Sequence, residues 1–379
     1  MPNNRDYSDI TPVDLRNPFR NPTEEPDYSP DYRAIMPELD MPDSKIPLFP
    51  AGHERSAIKR CFAMVFLTLL FALLTATTIY VALQGITSVM LQQTDLRKLG
   101  ELPQNYAQIV RQYLNDSSIA YAINLIAFLC GNLAAIFVGC KLTDLKLYAF
   151  FRLRNFSVPR AVCYVFIGLW IQLAAGLLGE QILRFAKTVG ISIYVPDTDM
   201  NGSFMRVAML GLYACIIAPV TEELLMRGLV LKNISRVSQR YAILLSAFLF
   251  GLMHENLMQF LFTFPLGILL GYITIRHNSV TPAIIVHIGV NTAGVAIELC
   301  ERFLPQGSMR IVNISYTLGI LLIGSVALLY LLATERLPDQ TPHQSMRSGR
   351  LVAASPLFWI LFAVHIGAAV LAGASTSLL

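Results

Sequence analysis

Nine apolar runs restrict this chain more than any other feature of its sequence. A helix needs about 20 mostly apolar residues to cross the hydrocarbon core of a bilayer. Runs near 61–86, 118–140, 161–184, 312–333 and 352–374 meet that length cleanly. Four more, at 205–226, 241–254, 257–275 and 281–299, are shorter or interrupted by polar residues. Inside lipid every backbone polar group must be satisfied by the chain itself, so such runs are read as helices. The expected fold is all-α, a polytopic transmembrane helical bundle of about nine spans. Composition agrees: 54% of the 379 residues are hydrophobic, 14% are charged, and the mean hydropathy is +0.53. Soluble proteins carry roughly a quarter charged residues.

Residues 1–57 differ. They hold half of the chain's 20 prolines and stretches such as "RNPTEEPDYSPDY". Such a segment buries too little apolar area to offset its ordering, so a disordered, acidic, proline-rich tail is expected there. It is no signal peptide, because no basic region runs directly into an apolar stretch. The expected organisation is a tail at 1–57, N-terminal spans at 58–200, a polar-motif core at 201–300 and C-terminal spans at 301–379. The six cysteines lie in or beside apolar segments without a CxxC pair, which reads as packing rather than a disulfide framework.

Basic residues set the orientation. Arg55, Lys59 and Arg60 precede the first run; Lys141, Lys146, Arg152, Arg154 and Arg160 follow the second. Lys232, Arg236 and Arg240 follow the fourth, Arg276 the sixth, and Arg336, Arg347 and Arg350 the eighth. All fall on one side if the N-terminus is cytosolic, which makes this a multi-pass cell-membrane protein with the bilayer as its first partner. Arg97, Lys98 and Arg111 weaken the contrast. The net charge of +4, with no long basic tract, gives no reason to expect a nucleic-acid partner. The loop at 141–160 mixes aromatic and basic residues, as an interfacial amphipathic segment or a solvated loop would. "GILLG" at 267–271 is a GxxxG pattern, suited to close helix packing within the chain.

An ionisable side chain at membrane depth costs about 2.5–3.5 kcal/mol on insertion scales and usually faces a bundle interior or a polar cavity. "IIAPVTEELLMRGLV" (216–230) places two carboxylates and an arginine there. Glu223 and Arg227 are four apart and share a helical face, so an ion pair accounts for both. Glu222 points about 100° away around a helix of 3.6 residues per turn. It is left to face a cavity, as a general base must. In "FLFGLMHENLMQF" (248–260), His254 ends an apolar run, with Phe250 one turn earlier on the same face to support the imidazole or a substrate. Met258 stands where the zinc motif HExxH needs its second histidine, so that motif fails and Glu255 is read as a surface acid. In "TPAIIVHIGVNTAG" (281–294), Pro282 suits a helix start, and His287 and Asn291 lie on one face. A carboxylate, two imidazoles and an amide on neighbouring helices form a plausible hydrolase constellation.

In order and spacing these residues resemble a known family. Glu222, Glu223 and Arg227 match EExxxR, Phe250 and His254 match FxxxH, and His287 and Asn291 match HxxxN. This is the pattern of the CPBP (Abi) family, which holds CAAX prenyl proteases and bacteriocin-processing enzymes. The resemblance covers about 205–300. It implies an integral-membrane endopeptidase, a protease acting on a peptide or lipidated (CAAX-type) protein. In that scheme Glu222 and His254 activate water, His287 and Asn291 stabilise the oxyanion, and Glu223 and Arg227 hold the site in shape. Both a glutamate mechanism and a metal-dependent one go with the family. Glu222, His254, His287 and Asn291 are also a set that can ligate zinc; the glutamate mechanism is favoured. Access is expected from the cytosolic side, near Arg227 and Lys232. Two other classes compete: a transporter or proton relay, and a non-catalytic membrane scaffold.

Overall fold

A computed structural model describes residues 52–99, 102–116, 118–153, 156–191, 193, 195, 203–235, 238–334 and 350–377. The expected tail lies outside these residues up to 51; from Gly52 the chain is helical. The helices are α1 (Gly52–Leu99), α2 (Tyr106–Asp116), α3 (Ser118–Thr143), α4 (Val158–Thr188), α5 (Phe204–Ser235), α6 (Gln239–Leu252), α7 (Leu257–His277), α8 (Thr281–Phe303), α9 (Gln306–Thr334) and α10 (Pro356–Ser377). Among the described residues there is no strand. The protein is an all-α bundle. Seven helices (α1, α3, α4, α5, α7, α8 and α9) are long and apolar enough to cross a membrane. The other two expected runs are met by α6, a shorter apolar helix, and by α10, which runs for 22 residues. At 1.5 Å per residue the 14-residue α6 reaches only about 21 Å.

Local chemistry sets the helix ends. Ser203 Oγ and Ser238 Oγ accept the Arg206 and Tyr241 N–H groups at the starts of α5 and α6. Asn256 Oδ1 accepts from Met258 N and Gln259 N at the start of α7. Such caps satisfy otherwise orphaned donors. α7 stops at Asn278, which is left-handed at φ 49°, and α8 restarts with Pro282 in its first turn.

α5 is not α-helical throughout. It widens to π-helix at Tyr213–Ile217 and Leu224–Leu231, on either side of the Glu222–Glu223 pair. Pro219 accounts for the first. It offers no N–H to Cys215 O, and its ring crowds that carbonyl, so the preceding turn loosens. The Ala218 N–H reaches back to Tyr213 O, as π-geometry requires.

α1 packs along α3, α6 along α7, and α4 against α7, α8 and α9. The GxxxG pattern brings α7 onto α6: a Cβ on Gly267 would lie 3.0 Å from the Ala247 backbone. α10 lies against α1 and α6 through Phe358–Phe66 (5.5 Å between rings) and Phe362–Phe248 (6.4 Å). One end of the bundle gathers the basic segments. There Lys232 Nζ donates to Ala149 O, Asn233 Nδ2 to Thr143 Oγ1 (3.2 Å) and Val280 N to Phe150 O (2.9 Å). Within 141–160, Leu147–Phe151 is a 3₁₀ turn whose Ala149 and Phe150 are buried. Those two residues dock the piece on the bundle, while Leu147, Tyr148 and Phe151 stay exposed.

Candidate active site

Glu223 and Arg227 are fully buried and joined by a 2.8 Å bond from Nη1 to Oε1. Arg227 Nη2 also donates to Gly267 O (3.3 Å), which only a glycine-lined helix contact lets it approach. The guanidinium lies 4.4 Å from the centre of the Phe250 ring, a cation–π contact. Thus Phe250 is a wall beneath the arginine, itself 1% exposed.

His287, on α8, closes on the same carboxylate, with Nδ1 3.0 Å from Glu223 Oε1. An ionised carboxylate only accepts, so Nδ1 carries the proton and Nε2 is turned outward. That Nε2 lies 3.9 Å from Glu222 Oε2, too long for a direct bond and short enough for a water seated off the line to touch both. Glu222 keeps 14% of its side chain exposed, and it interacts electrostatically with Tyr213 and Arg227.

The remaining expected residues are placed otherwise. Asn291 does not reach either glutamate; its Nδ2 donates to Ala214 O at 2.8 Å. The π-turn is the reason. In that geometry Ala214 O would pair with the N–H five residues on, at Pro219, which has none. Asn291 fills the orphaned acceptor and so docks α8 on α5. His254 lies beyond the end of α6, in the turn before α7, with its N–H on Gly251 O (3.2 Å). Its Nδ1–H donates to Phe250 O (2.8 Å), again leaving Nε2 outward. The Phe250 ring stands edge-on to both imidazoles, 5.0 Å from His254 and 5.8 Å from His287. The expected meeting of His254 with Glu222 is therefore not a direct contact.

Glu255 is not the surface acid expected from its position. Its Oε1 lies 2.8 Å from Nδ1 of His365, on α10. Nor do Arg227 and Lys232 line an opening at the basic end, since both are buried and bonded. A cavity of about 530 Å³ lies instead deeper, among α1, α3, α5, α10 and the α6–α7 turn, lined by Tyr121, Asn124, Asn132, Tyr213, Glu255 and His365 among others. Asn132 Nδ2 donates to Thr221 Oγ1 (3.3 Å), next to Glu222. Tyr213, Asn132 and His365 were not marked by any motif; the available signal was a polar residue at apolar depth, Asn132 on α3 and His365 on α10.

The four side chains able to ligate zinc do not converge. Among the described residues no group of three or more His, Cys, Asp or Glu is arranged to hold a metal ion. His287 and His254 each give Nδ1–H to an acceptor and turn Nε2 outward, and Asn291 uses only its Nδ2 on Ala214 O, so these contacts leave the usual ligand atoms unblocked. Glu223 Oε2 makes no hydrogen bond, but it is enclosed.

A buried carboxylate–guanidinium–imidazole network within apolar spans marks a membrane protein that works through its interior. Residues 204–293 match the family model described as Type II CAAX prenyl endopeptidase Rce1-like. That segment is similar to the CPBP/CAAX protease family, and the seven long apolar helices make the protein a multi-pass membrane protein. The match spans α5 to most of α8 and leaves the other helices outside. No curated protein and no solved structure shows a significant match to the chain.

Proposed function

We propose that the protein hydrolyses a peptide bond of a membrane-associated or prenylated, CAAX-type substrate, with Glu222 as the general base of a glutamate mechanism. One observation carries this reading. Glu223 is consumed by Arg227 and His287, whereas Glu222 stays partly open beside His287 Nε2. Glu222 takes a proton from the attacking water as the water oxygen bonds to the scissile carbonyl carbon. His287, when protonated, donates from Nε2 to the oxyanion, flanked by the two carboxylates. Asn291 has a second amide N–H besides the one on Ala214 O, and it donates there too. Collapse breaks the C–N bond, and Glu222 returns its proton to the leaving amine. His254, its Nδ1–H held by Phe250 O, presents Nε2 as a further acceptor for the water.

The basic end faces the cytosol in this proposal. Glu222 lies ten residues before Lys232, about 15 Å deeper along an ideal helix.

The test is cleavage by the full chain in lipid nanodiscs. A farnesylated CAAX peptide and a membrane-anchored peptide are each incubated with the parent and with Glu222→Ala, and products are read by mass spectrometry. Cleavage of either, lost in Glu222→Ala, is expected; equal cleavage by both proteins refutes the assignment of the base. Comparison of membrane peptides from cells carrying each protein then names the natural substrate.

A further inference from the structure

The α6–α7 turn carries a second pair of titratable groups that the proposed chemistry does not use. Glu255 Oε1 lies 2.8 Å from His365 Nδ1, across 110 residues of sequence. The His365 side chain is 3% exposed and that of Glu255 is 32% exposed. Both line the cavity that adjoins Tyr213. His365 lies outside the residues matched by the family.

The backbone of this turn is unusual. Glu255 has φ 52°, in the left-handed region that residues with a Cβ rarely adopt. Such a conformation persists where its surroundings over-determine it. Two contacts do so: the Glu255 N–H on Leu252 O (3.1 Å) and the carboxylate on His365. A charge-assisted bond is among the stronger single ties available to a side chain. His365 is itself fixed, because α10 is clasped to α1 and α6 by Phe358–Phe66 and Phe362–Phe248. The residue immediately before Glu255 is His254, which is held from the other side by Phe250 O and Gly251 O.

We propose that His365 is a positioning residue for His254, acting through Glu255: the last helix holds the left-handed turn that aims the imidazole. This rests on the reading that His254 belongs to the active site, so the test includes a measurement that needs no activity. Full-length protein in nanodiscs is treated with diethyl pyrocarbonate, and the modification rate of His254 is followed by peptide mass spectrometry. kcat and KM are measured on whichever peptide the parent cleaves.

His365→Leu removes the donor. His365→Asn keeps an N–H near the position of Nδ1. In His365→Leu we expect the His254 modification rate to change at least threefold, and kcat to fall about tenfold with KM within twofold. His365→Asn should restore both to within threefold of the parent. A parental His254 rate in His365→Leu overturns the proposal, and so does a His365→Asn protein as altered as His365→Leu. If His365→Leu does not fold, Glu255→Ala, which removes the acceptor, decides by the same rate, with a parental value again overturning it. Should Glu222→Ala cleave like the parent while the His254 rate moves as expected, the assignment of Glu222 as base fails and the positioning role stands.

Discussion

Replacing Arg227 with methionine removes one member of a pair that has no solvent on either side. Glu223 is then left at 0% exposure with His287 as its remaining donor. Breaking a buried ion pair from one side costs about 3–5 kcal/mol, because the other charge stays buried. The bond to Gly267 O adds about 1 kcal/mol, and the contact with Phe250 about 0.5–2 kcal/mol. Methionine recovers part of the packing, and His287 Nδ1–H offsets part of the stranded charge, so a net loss of about 3–5 kcal/mol is expected. The double variant Glu223→Gln/Arg227→Met has no stranded charge and should lose at least about 2 kcal/mol less than the sum of its single variants, a coupling within the range of contacting pairs. Unfolding free energies measured by steric trapping in bicelles provide the cycle. An Arg227→Met protein within about 1 kcal/mol of the parent, or strict additivity, would refute the account of this pair.

Other outcomes follow from the same geometry. Glu222→Gln should lower cleavage by about 10²–10⁴-fold, the usual contribution of a general base, while leaving the melting temperature close to that of the parent. Asn291→Leu strands Ala214 O in the π-turn and should cost about 1–3 kcal/mol of stability, measurable by the same trapping method. Gly228→Ala places a methyl group inside the Phe150 ring's contact surface and should cost about 1–3 kcal/mol. Preincubation with 1,10-phenanthroline should leave initial cleavage rates unchanged if the glutamate mechanism operates, and abolition of cleavage would overturn it.

Local spacing foreshadows only part of this site. Glu223 and Arg227 sit four residues apart on one helix, and their contact follows from helical geometry even through the widened turn. Phe250 and His254 are likewise neighbours along the chain, and their rings meet. The approach of His287 to Glu223 depends on how α8 docks against α5, which no i,i+4 rule specifies. Pro219 stands in plain view four residues before Glu223, yet its effect on Ala214 O needs the π-turn to be recognised. Without it Asn291 looks like a partner for the carboxylates. Glu255 looks like a surface acid because His365 is 110 residues away on a helix with no motif. The apolar runs placed the long spans well. The length of α6 was legible too, since the short run at 241–254 and the helix Gln239–Leu252 differ by two residues at each end.

The pairing of Glu223 with Arg227 inside a single helix also bears on how the chain enters a membrane. Each of those side chains alone would cost about 2.5–3.5 kcal/mol at the middle of an inserting segment. Being one turn apart, they can neutralise each other as soon as α5 is helical, before α8 has been synthesised. His287 then arrives at a site that is already electrically closed. The segment carrying this pair can therefore be handed to lipid as a self-contained unit, and only Glu222 must wait for later helices to find its surroundings.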